Sequence, residues 1–545
     1  MRLGRLGGVL AALALVVLPA VPAAAQGPYP PGINADTIRT AALTATVAAG
    51  GAHSCALTSV GELFCWGDDS SGQLGDGAAA HAFGQPVLAL RDAVQVDAGK
   101  AHTCAIDVRG AAHCWGDDSA GQLGDGGYAD RDAAVAVTPP AARHLVKITT
   151  GARHTCAVDD VGSAWCWGDG SHGQLGVPGL RGSAVPVRVG THSGMRGVVV
   201  DIAAGRDTTC AVTAAGAAFC WGSDAYEQLG TGGHGDRDEP VAVATTGPMR
   251  GKVREVTVGG TQACALGVEG PAYCWGARGL GAGTRATRTE PVGVELGAAL
   301  AEVTAGGEHT CGLDRGGRAS CWGEGADGRL GNGRSAAGPV PVGVSAGGTL
   351  RDVDAGEEHS CASDTRGYAY CWGAGADGQL GAGRSAASAV PVPVVGLPRP
   401  PGAVTGVRAR ALDGGLRIDW RPPTDLGSGA FTYYWATTAG YESGCTLTDA
   451  TADGCELTGL RNDREYDVAV VARTRDGITV SSFVTATPAA AAPLPSGTPA
   501  PRPWSASVLP GASDLPVTGL SPIALVALGT LLLGGGLTAL LVRRS

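Results

Sequence analysis

Most of the chain alternates short apolar runs with turns, in a unit that recurs. Each unit holds an apolar run, a turn around a glycine (Gly61, Gly110, Gly162) and a second run ending at a tryptophan, which predicts a β-hairpin. Briefer runs, such as Pro86-Val87 and Val94–Val96, predict a shorter third and fourth strand. Successive side chains of a strand point to opposite faces. With the turn centred midway between Cys104 and Cys114, these cysteines face each other and Thr103 faces Trp115. One face then carries His102, Cys104 and Ile106, and the other Thr103, Ala105, His113 and Trp115. Neither face is polar enough for water, so the hairpins should stack with both faces covered. On this reading the small Thr and Ala column leaves room for a neighbouring sheet's large Trp.

The unit occurs seven times. Its first cysteines are Cys55, Cys104, Cys156, Cys210, Cys264, Cys311 and Cys361, and each has a partner ten residues on: Cys65, Cys114, Cys166, Cys220, Cys274, Cys321 and Cys371. Trp and Gly follow every second cysteine. Gly-Gln-Leu-Gly then appears whole at 72–75, 121–124, 173–176 and 378–381, altered at 227–230 and 328–331, and truncated at 279–281. These residues resemble the regulator-of-chromosome-condensation repeat family over about residues 45–396, and the resemblance implies a seven-bladed β-propeller. The eukaryotic prototype's nucleotide-exchange role does not carry over, because fold does not transfer function. Secreted bacterial propellers of the family that inhibit β-lactamases through loops on one face are the nearer analogy.

Both chain ends point to export and anchoring. Arg2 and Arg5, the apolar stretch Leu6–Leu18 and Ala23-Ala24-Ala25 read as a signal peptide over residues 1–25, followed by a leader over 26–43. The propeller is expected over 44–398. Residues 399–488 resemble a fibronectin type III domain through Trp420, Pro422-Pro423, Tyr433-Tyr434-Trp435, and Leu460 six before Tyr466. The fold class is therefore all-β, a seven-bladed β-propeller followed by an immunoglobulin-like (fibronectin type III) β-sandwich, the latter read as a spacer. A stalk rich in Pro, Ala and Ser spans 489–514 and cannot bury a core. Leu515-Pro516-Val517-Thr518-Gly519, an apolar stretch over 520–542 long enough for a membrane helix, and Arg543-Arg544 close the sequence. Together they resemble the sorting signal of Gram-positive surface proteins. That resemblance implies that sortase cuts between Thr518 and Gly519 and joins Thr518 to peptidoglycan, which places the protein on the cell wall or cell surface.

Export changes the reading of the cysteines. Sixteen cysteines in eight pairs, the last being Cys445 with Cys455, read as disulfides between opposed strand positions. Each closed loop is short, which gives roughly 2–3 kcal/mol per bridge in the chain-entropy model. A zinc site would have only His-x-Cys and a second Cys, without a fourth ligand. The histidines two before the first cysteine (His53, His102, His154, His309, His359) give way to Thr208 and Gln262 in repeats four and five, which suits hydrogen bonding rather than catalysis. Asp68-Asp69 and Asp117-Asp118 suit turns. No catalytic constellation, metal or cofactor is therefore expected.

The net charge is −10, and three lysines stand against 37 arginines, scattered without a stripe, which excludes nucleic acid as a partner. The segments after Gly-Gln-Leu-Gly vary most between repeats. They make His81, Phe83, Tyr128, Arg181, His234 and Arg237 the candidate contacts for a protein or glycan ligand; Asp132, Glu239, Arg285, Arg288, Arg334 and Arg384 lie in the same loops. A surface-displayed, non-enzymatic binding module is the leading expectation, and the alternatives are a structural wall protein or spacer without a specific ligand and a propeller-based glycan-active enzyme.

Overall fold

The structure, a computed structural model, describes residues 46–490 except 59–60, 78–85, 139–142, 191–193, 245–248, 250–251, 441 and 476. The expected signal peptide, leader and sorting signal, and the expected stalk beyond residue 490, lie outside the described residues.

The repeat builds seven four-stranded antiparallel sheets, each made of four consecutive strands. The first comprises Thr46–Ala49, His53–Leu57, Leu63–Gly67 and Val87–Leu90; the second Ala93–Ala98, His102–Asp107, Ala112–Gly116 and Arg131–Ala136. The third to sixth begin at Leu145, Val199, Val253 and Leu300, and the seventh runs from Leu350–Ala355 to Ser388–Pro393. The first strands of successive sheets contact one another around an axis, and that of the seventh meets that of the first. The architecture is all-β, and the sheets are the blades of a propeller. One expectation changes here: Val94–Val96 is not a fourth strand but part of the innermost strand of the next blade.

The hairpin register pairs Cys104 with Cys114 and Thr103 with Trp115, and the same pairing recurs in every blade. Directly opposed residues suit a disulfide, and the seven blade bridges span 4.0–4.1 Å between Cα atoms. Stacking differs from the expectation in one respect. Trp115 packs not on a neighbour's Thr and Ala column but on Cys55, Cys65, Leu57, Leu63 and Leu74 of the preceding blade. Likewise Trp167 packs on Cys104, Cys114, Ile106 and Leu123. Thr and Ala are small because they lie beside their own blade's indole and must let the preceding blade approach. All seven of these tryptophans are fully buried.

Beyond the last blade, a three-stranded sheet (Thr405–Leu412, Gly415–Arg421, Gly454–Thr458) faces a five-stranded one (Phe431–Thr438, Gly444–Leu447, Tyr466–Thr474, Gly477–Val480, Val484–Ala486). Leu416, Ile418, Trp420, Tyr434, Leu457, Val468 and Val470 fill the core between them. Cys445 and Cys455 lie on edge strands of different sheets, 6.5 Å apart at Cα, so this bridge joins the two sheets rather than closing a hairpin. Propeller and sheet pair belong to one compact unit that ends at Ala491.

Trp115→Ala empties a site walled by the neighbouring blade, and a large-to-small core change of this kind costs about 3–5 kcal/mol. Denaturant unfolding of the variant should show that loss with all disulfides intact.

Candidate functional site

The axial channel is where convergent chemistry would be found. Its walls are the seven innermost strands, whose alternate side chains point inward. Gln95, Lys147, Asp201, Glu255, Glu302 and Asp352 occupy one level of these strands, and Asp97, Thr149, Thr257, Thr304 and Asp354 another; all but Asp201 and Asp352 line a cavity of about 530 Å³. Most of these groups bind the neighbouring blade's backbone. Thr150 N–H donates to Asp97 (2.6 Å), Val256 N–H to Asp201 (2.7 Å), Val303 N–H to Glu255 (3.1 Å), Val47 N–H to Asp352 (2.7 Å) and Ala49 N–H to Asp354 (2.8 Å). Ala204 N–H and Ala305 N–H donate to the hydroxyls of Thr149 and Thr257. Each innermost strand would otherwise leave unpaired N–H groups along the channel, and the acids satisfy them.

Burial disfavours the charged forms of Asp97, Glu255, Glu302, Asp352 and Asp354. Desolvation, followed by the nearby Asp354, pushes Asp97 up to about 6. Asp352 rises to about 6, again mainly by burial. Burial and the Asp352 charge raise Glu302 well above the ordinary range, and the two carboxyls share a hydrogen bond. Lys147 pairs with Asp201. Among the described residues, no group of three or more His, Cys, Asp or Glu side chains is arranged to hold a metal ion.

At one end the channel is ringed by backbone. Seven inter-blade bonds run in a circle, from Gly51 N–H to Gly99 O (3.0 Å) around to Glu357 N–H to Gly50 O (3.0 Å). A Cβ on Gly99 would meet Gly151 O at 2.5 Å, which is why this position is glycine in each blade. Across the mouth, Arg206 of the fourth blade pairs with Glu357 of the seventh at 2.8 Å.

The recurrent histidines stand just outside this circle and are fully buried. His102 Nε2 meets the Thr155 hydroxyl of the next blade at 3.0 Å, and that hydroxyl donates to Gln122 O at 2.8 Å. A hydroxyl has one proton to give. The histidine must therefore donate from Nε2, as a neutral ring. His53, His154, His309 and His359 repeat the arrangement with Thr103, Thr209, Ser360 and Ser54 at 2.7–2.9 Å. The two departures are local adjustments. Thr208 faces Ala263, which has no hydroxyl, and donates to Ser223 O instead. Gln262 reaches the carbonyls of Gly306 and His309. Burial drives His102 down to about 3 and His154 to about 4, so both remain neutral at physiological pH.

The loops after Gly-Gln-Leu-Gly lie on the same face as the glycine circle. Tyr128 is 65% exposed and presents its ring to solvent. Arg181 donates to Ser171 O, His234 pairs with Glu227 at 2.6 Å, and Arg237 donates to the carbonyls of Gly235 and Asp236. These three are therefore engaged in holding their own loops, and with Tyr128 the described candidates come from three successive blades rather than one pocket. His81 and Phe83 lie outside the described residues. Asp68 and Asp117 bind the Gln73 and Gln122 side chains, while Asp69 and Asp118 accept the N–H groups of Leu74 and Leu123, as turn residues would. The opposite face holds a feature that sequence reasoning missed: Val146, Val161, Val198 and Val200, each about half exposed, edge one shallow cavity. Apolar strand ends look like core in a sequence, and no residue type marks them as uncovered.

Residues 24–281 match the model of the RCC1-like domain. Models of the regulator of chromosome condensation (RCC1) repeat match 301–329 and 350–379, and also 317–363 and 366–409. Among relatives, the human E3 ubiquitin-protein ligase HERC2 is 31% identical over 237 residues, 42% of this chain and 5% of that protein. The ultraviolet-B receptor UVR8 of Arabidopsis thaliana is 29% identical over 235 residues, 42% of this chain and 52% of that protein. The chain thus spans only a small part of the first and about half of the second. Human WBSCR16 superposes with a TM-score of 0.53 at 24% identity, covering 59% of this chain and 87% of that one. Yeast RCC1 (Prp20), solved with Kap60 bound to it, gives 0.53 at 20% identity over 69% and 91%. Both share the fold.

The neutral histidines predict an acid-sensitive ring. A folded-state value near 3 against an unfolded value of 6.5 means that His102 contributes stability that is complete above pH 6.5 and is lost as pH falls toward 3. The buried Asp97 and Asp352 act in the opposite sense, since their raised values favour the folded state as pH falls below 6. Comparison at a single site removes that background. Relative to His102→Gln, the side chain used at Gln262, the parent protein should lose up to about 1.4 kcal/mol per pH unit between pH 6.5 and 4 in urea unfolding.

Proposed function

The body of this chain being an RCC1-like repeat propeller, we propose that it is a non-enzymatic binding module displayed on the surface of a Gram-positive cell. One observation carries this reading: the chemically distinctive residues of the repeat are used between blades. Trp, Thr, His, Gly and the channel acids bond to a neighbouring blade, and the cystines carry its indole. Selectivity is left to residues that differ between repeats. Yeast RCC1 (Prp20), which shares this fold, is a precedent for a protein of this kind that binds another protein, Kap60.

The sheet pair after the propeller is a fibronectin type III domain on this reading. Tyr466 supports it: its hydroxyl accepts Arg461 N–H at 3.1 Å, the kind of upstream backbone bond made by the tyrosine corner of such sandwiches. The sheet pair packs beside Gly367, on the face opposite Gly-Gln-Leu-Gly. A chain tethered through its C-terminus would then present the glycine circle and the loops around Tyr128 outward. The Leu515–Gly519 motif, the apolar stretch and the basic end support covalent attachment by sortase.

A second reading rests on Glu302 and Asp352. Two carboxyls that share a proton in a channel could act as an acid–base pair on a glycan. Asp352, however, is already engaged by Val47 N–H. Glu302→Gln should leave every binding property unchanged, and the protein should show no turnover on wall glycans or peptides.

Replacing His81, Phe83 and Tyr128 with Ala should weaken capture of the ligand from surface and secreted material at least about tenfold, as for a binding hot spot, with thermal stability nearly unchanged. Val146→Glu with Val200→Glu, on the other face, should have no effect. Loss of capture in the valine variant alone would reassign the binding face. Wall digestion should release the chain ending at Thr518 with peptidoglycan fragments attached; release by detergent with residues 520–545 retained would contradict sorting.

A further inference from the structure

Among the described residues no blade lends a strand to the next, so the ring is closed by contacts between blades. One such contact recurs on the face away from Gly-Gln-Leu-Gly. The residue entering each new blade lies over the hairpin-turn glycine of the blade before it: His144 over Gly110, Val198 over Gly162, Lys252 over Gly216, Ala299 over Gly270 and Thr349 over Gly317. The following residue donates its N–H to that glycine's carbonyl, as Leu145 does to Gly110 and Leu350 to Gly317. At the seventh blade the glycine is Gly367, and the residue packed over it is Pro400. Pro400 does not enter a new blade. It belongs to the segment leading into the sheet pair.

We infer that the segment Leu397–Gly402, backed by the sheet pair, is a clasp that locks the closing interface between the seventh and first blades. Pro400 lies between two glycines: a Cβ on Gly367 would meet its Cγ at 3.0 Å, and one on Gly477 of the sheet pair would meet its Cα at 2.8 Å. Side chains at either residue would force blade and sheet pair apart. Arg399 N–H donates to the Ser428 hydroxyl at 2.7 Å, Gly402 N–H to Asp425 O at 2.7 Å, and the Thr479 hydroxyl to Pro401 O, so the segment is bound along its length to the sheet pair. Tyr368 of the seventh blade completes the lock. The guanidinium carbons of Arg366 and Arg399 stand over its ring, 5.0 and 5.1 Å from the centroid. Its hydroxyl accepts from Arg399 at 2.6 Å and donates to Asp425 at 3.0 Å. Val47 and Leu57 of the first blade and Ile478 and Val480 of the sheet pair line one cleft at this junction. The sheet pair is thereby part of the propeller's closure as well as its attachment, and a load on the C-terminus reaches the ring at this interface first.

Hydrogen exchange followed by mass spectrometry on the full chain in detergent tests the clasp. Gly477→Val should raise exchange at least about tenfold in Thr46–Leu57 of the first blade and His359–Asp364 of the seventh, leaving the third and fourth blades unchanged. Tyr368→Phe, which keeps the ring and removes only the hydroxyl, should give the same pattern to a smaller degree and serves if Gly477→Val does not fold. Increased exchange confined to residues 405–486 in both variants would overturn the proposal, as would an equal rise in all seven blades.

Discussion

The Gln122 carbonyl oxygen accepts two hydrogen bonds from the next blade: from the Trp167 indole N–H at 2.9 Å and from the Thr155 hydroxyl at 2.8 Å. Most of the propeller follows from that meeting. For the indole to arrive, the residue two after Gln122 must be Gly124, because a Cβ there would stand 2.7 Å from the indole nitrogen. Leu123 then packs with the Cys104–Cys114 bridge beneath the ring of Trp167. For the hydroxyl to arrive with its proton aimed at Gln122, a donor must approach it from behind, and His102 supplies it. Gly-Gln-Leu-Gly, Cys-Trp-Gly and His-Thr-Cys are thus three parts of one contact, contributed by two adjacent blades.

Because the contact lies between blades, an imperfect copy of one motif disturbs its neighbour. The truncated Gly279-Leu280-Gly281 belongs to the fifth blade, yet the group left without an acceptor is the Trp322 indole of the sixth, alone among the seven recurrent tryptophans. Thr310 still reaches Gly279 O at 3.0 Å. The same logic explains why His is absent from the fourth blade, where Ala263 would offer it no hydroxyl. A network used so fully for assembly is a poor place for selectivity. The channel acids reinforce the point, since convergent carboxylates that would suggest catalysis act mainly as acceptors for strand-edge N–H groups.

The hairpin register could be read from the ten-residue cysteine spacing and the turn glycines, because local pairing has a strict period. Which face of a blade meets which neighbour could not. Thr103 and Trp115 opposing each other is compatible with stacking in either direction, and the preceding blade's cystine and leucines decide it. Val94–Val96 belongs to the second blade rather than the first for a related reason: a strand's sheet depends on where the chain turns around the axis, which leaves no local mark. The roles of the channel acids and the glycine circle were illegible, since each such residue has its partner on another blade, and that of Pro400 because its partners lie on the seventh blade and the sheet pair. Loop residues were found by their variation alone. That singles out Tyr128 but cannot distinguish an outward side chain from Arg237, which binds its own loop's carbonyls.

The claim that indole-to-carbonyl bonding between blades holds the ring together is tested most directly by NMR of the tryptophan indole protons. The account predicts that Trp66, Trp115, Trp167, Trp221, Trp275 and Trp372 give downfield-shifted, slowly exchanging signals and that Trp322, equally buried, stands apart upfield. Gln122→Ala, which keeps the carbonyl, should leave the Trp167 signal in the downfield group. Seven indistinguishable signals, or fast exchange of the six while the fold is intact, would contradict it.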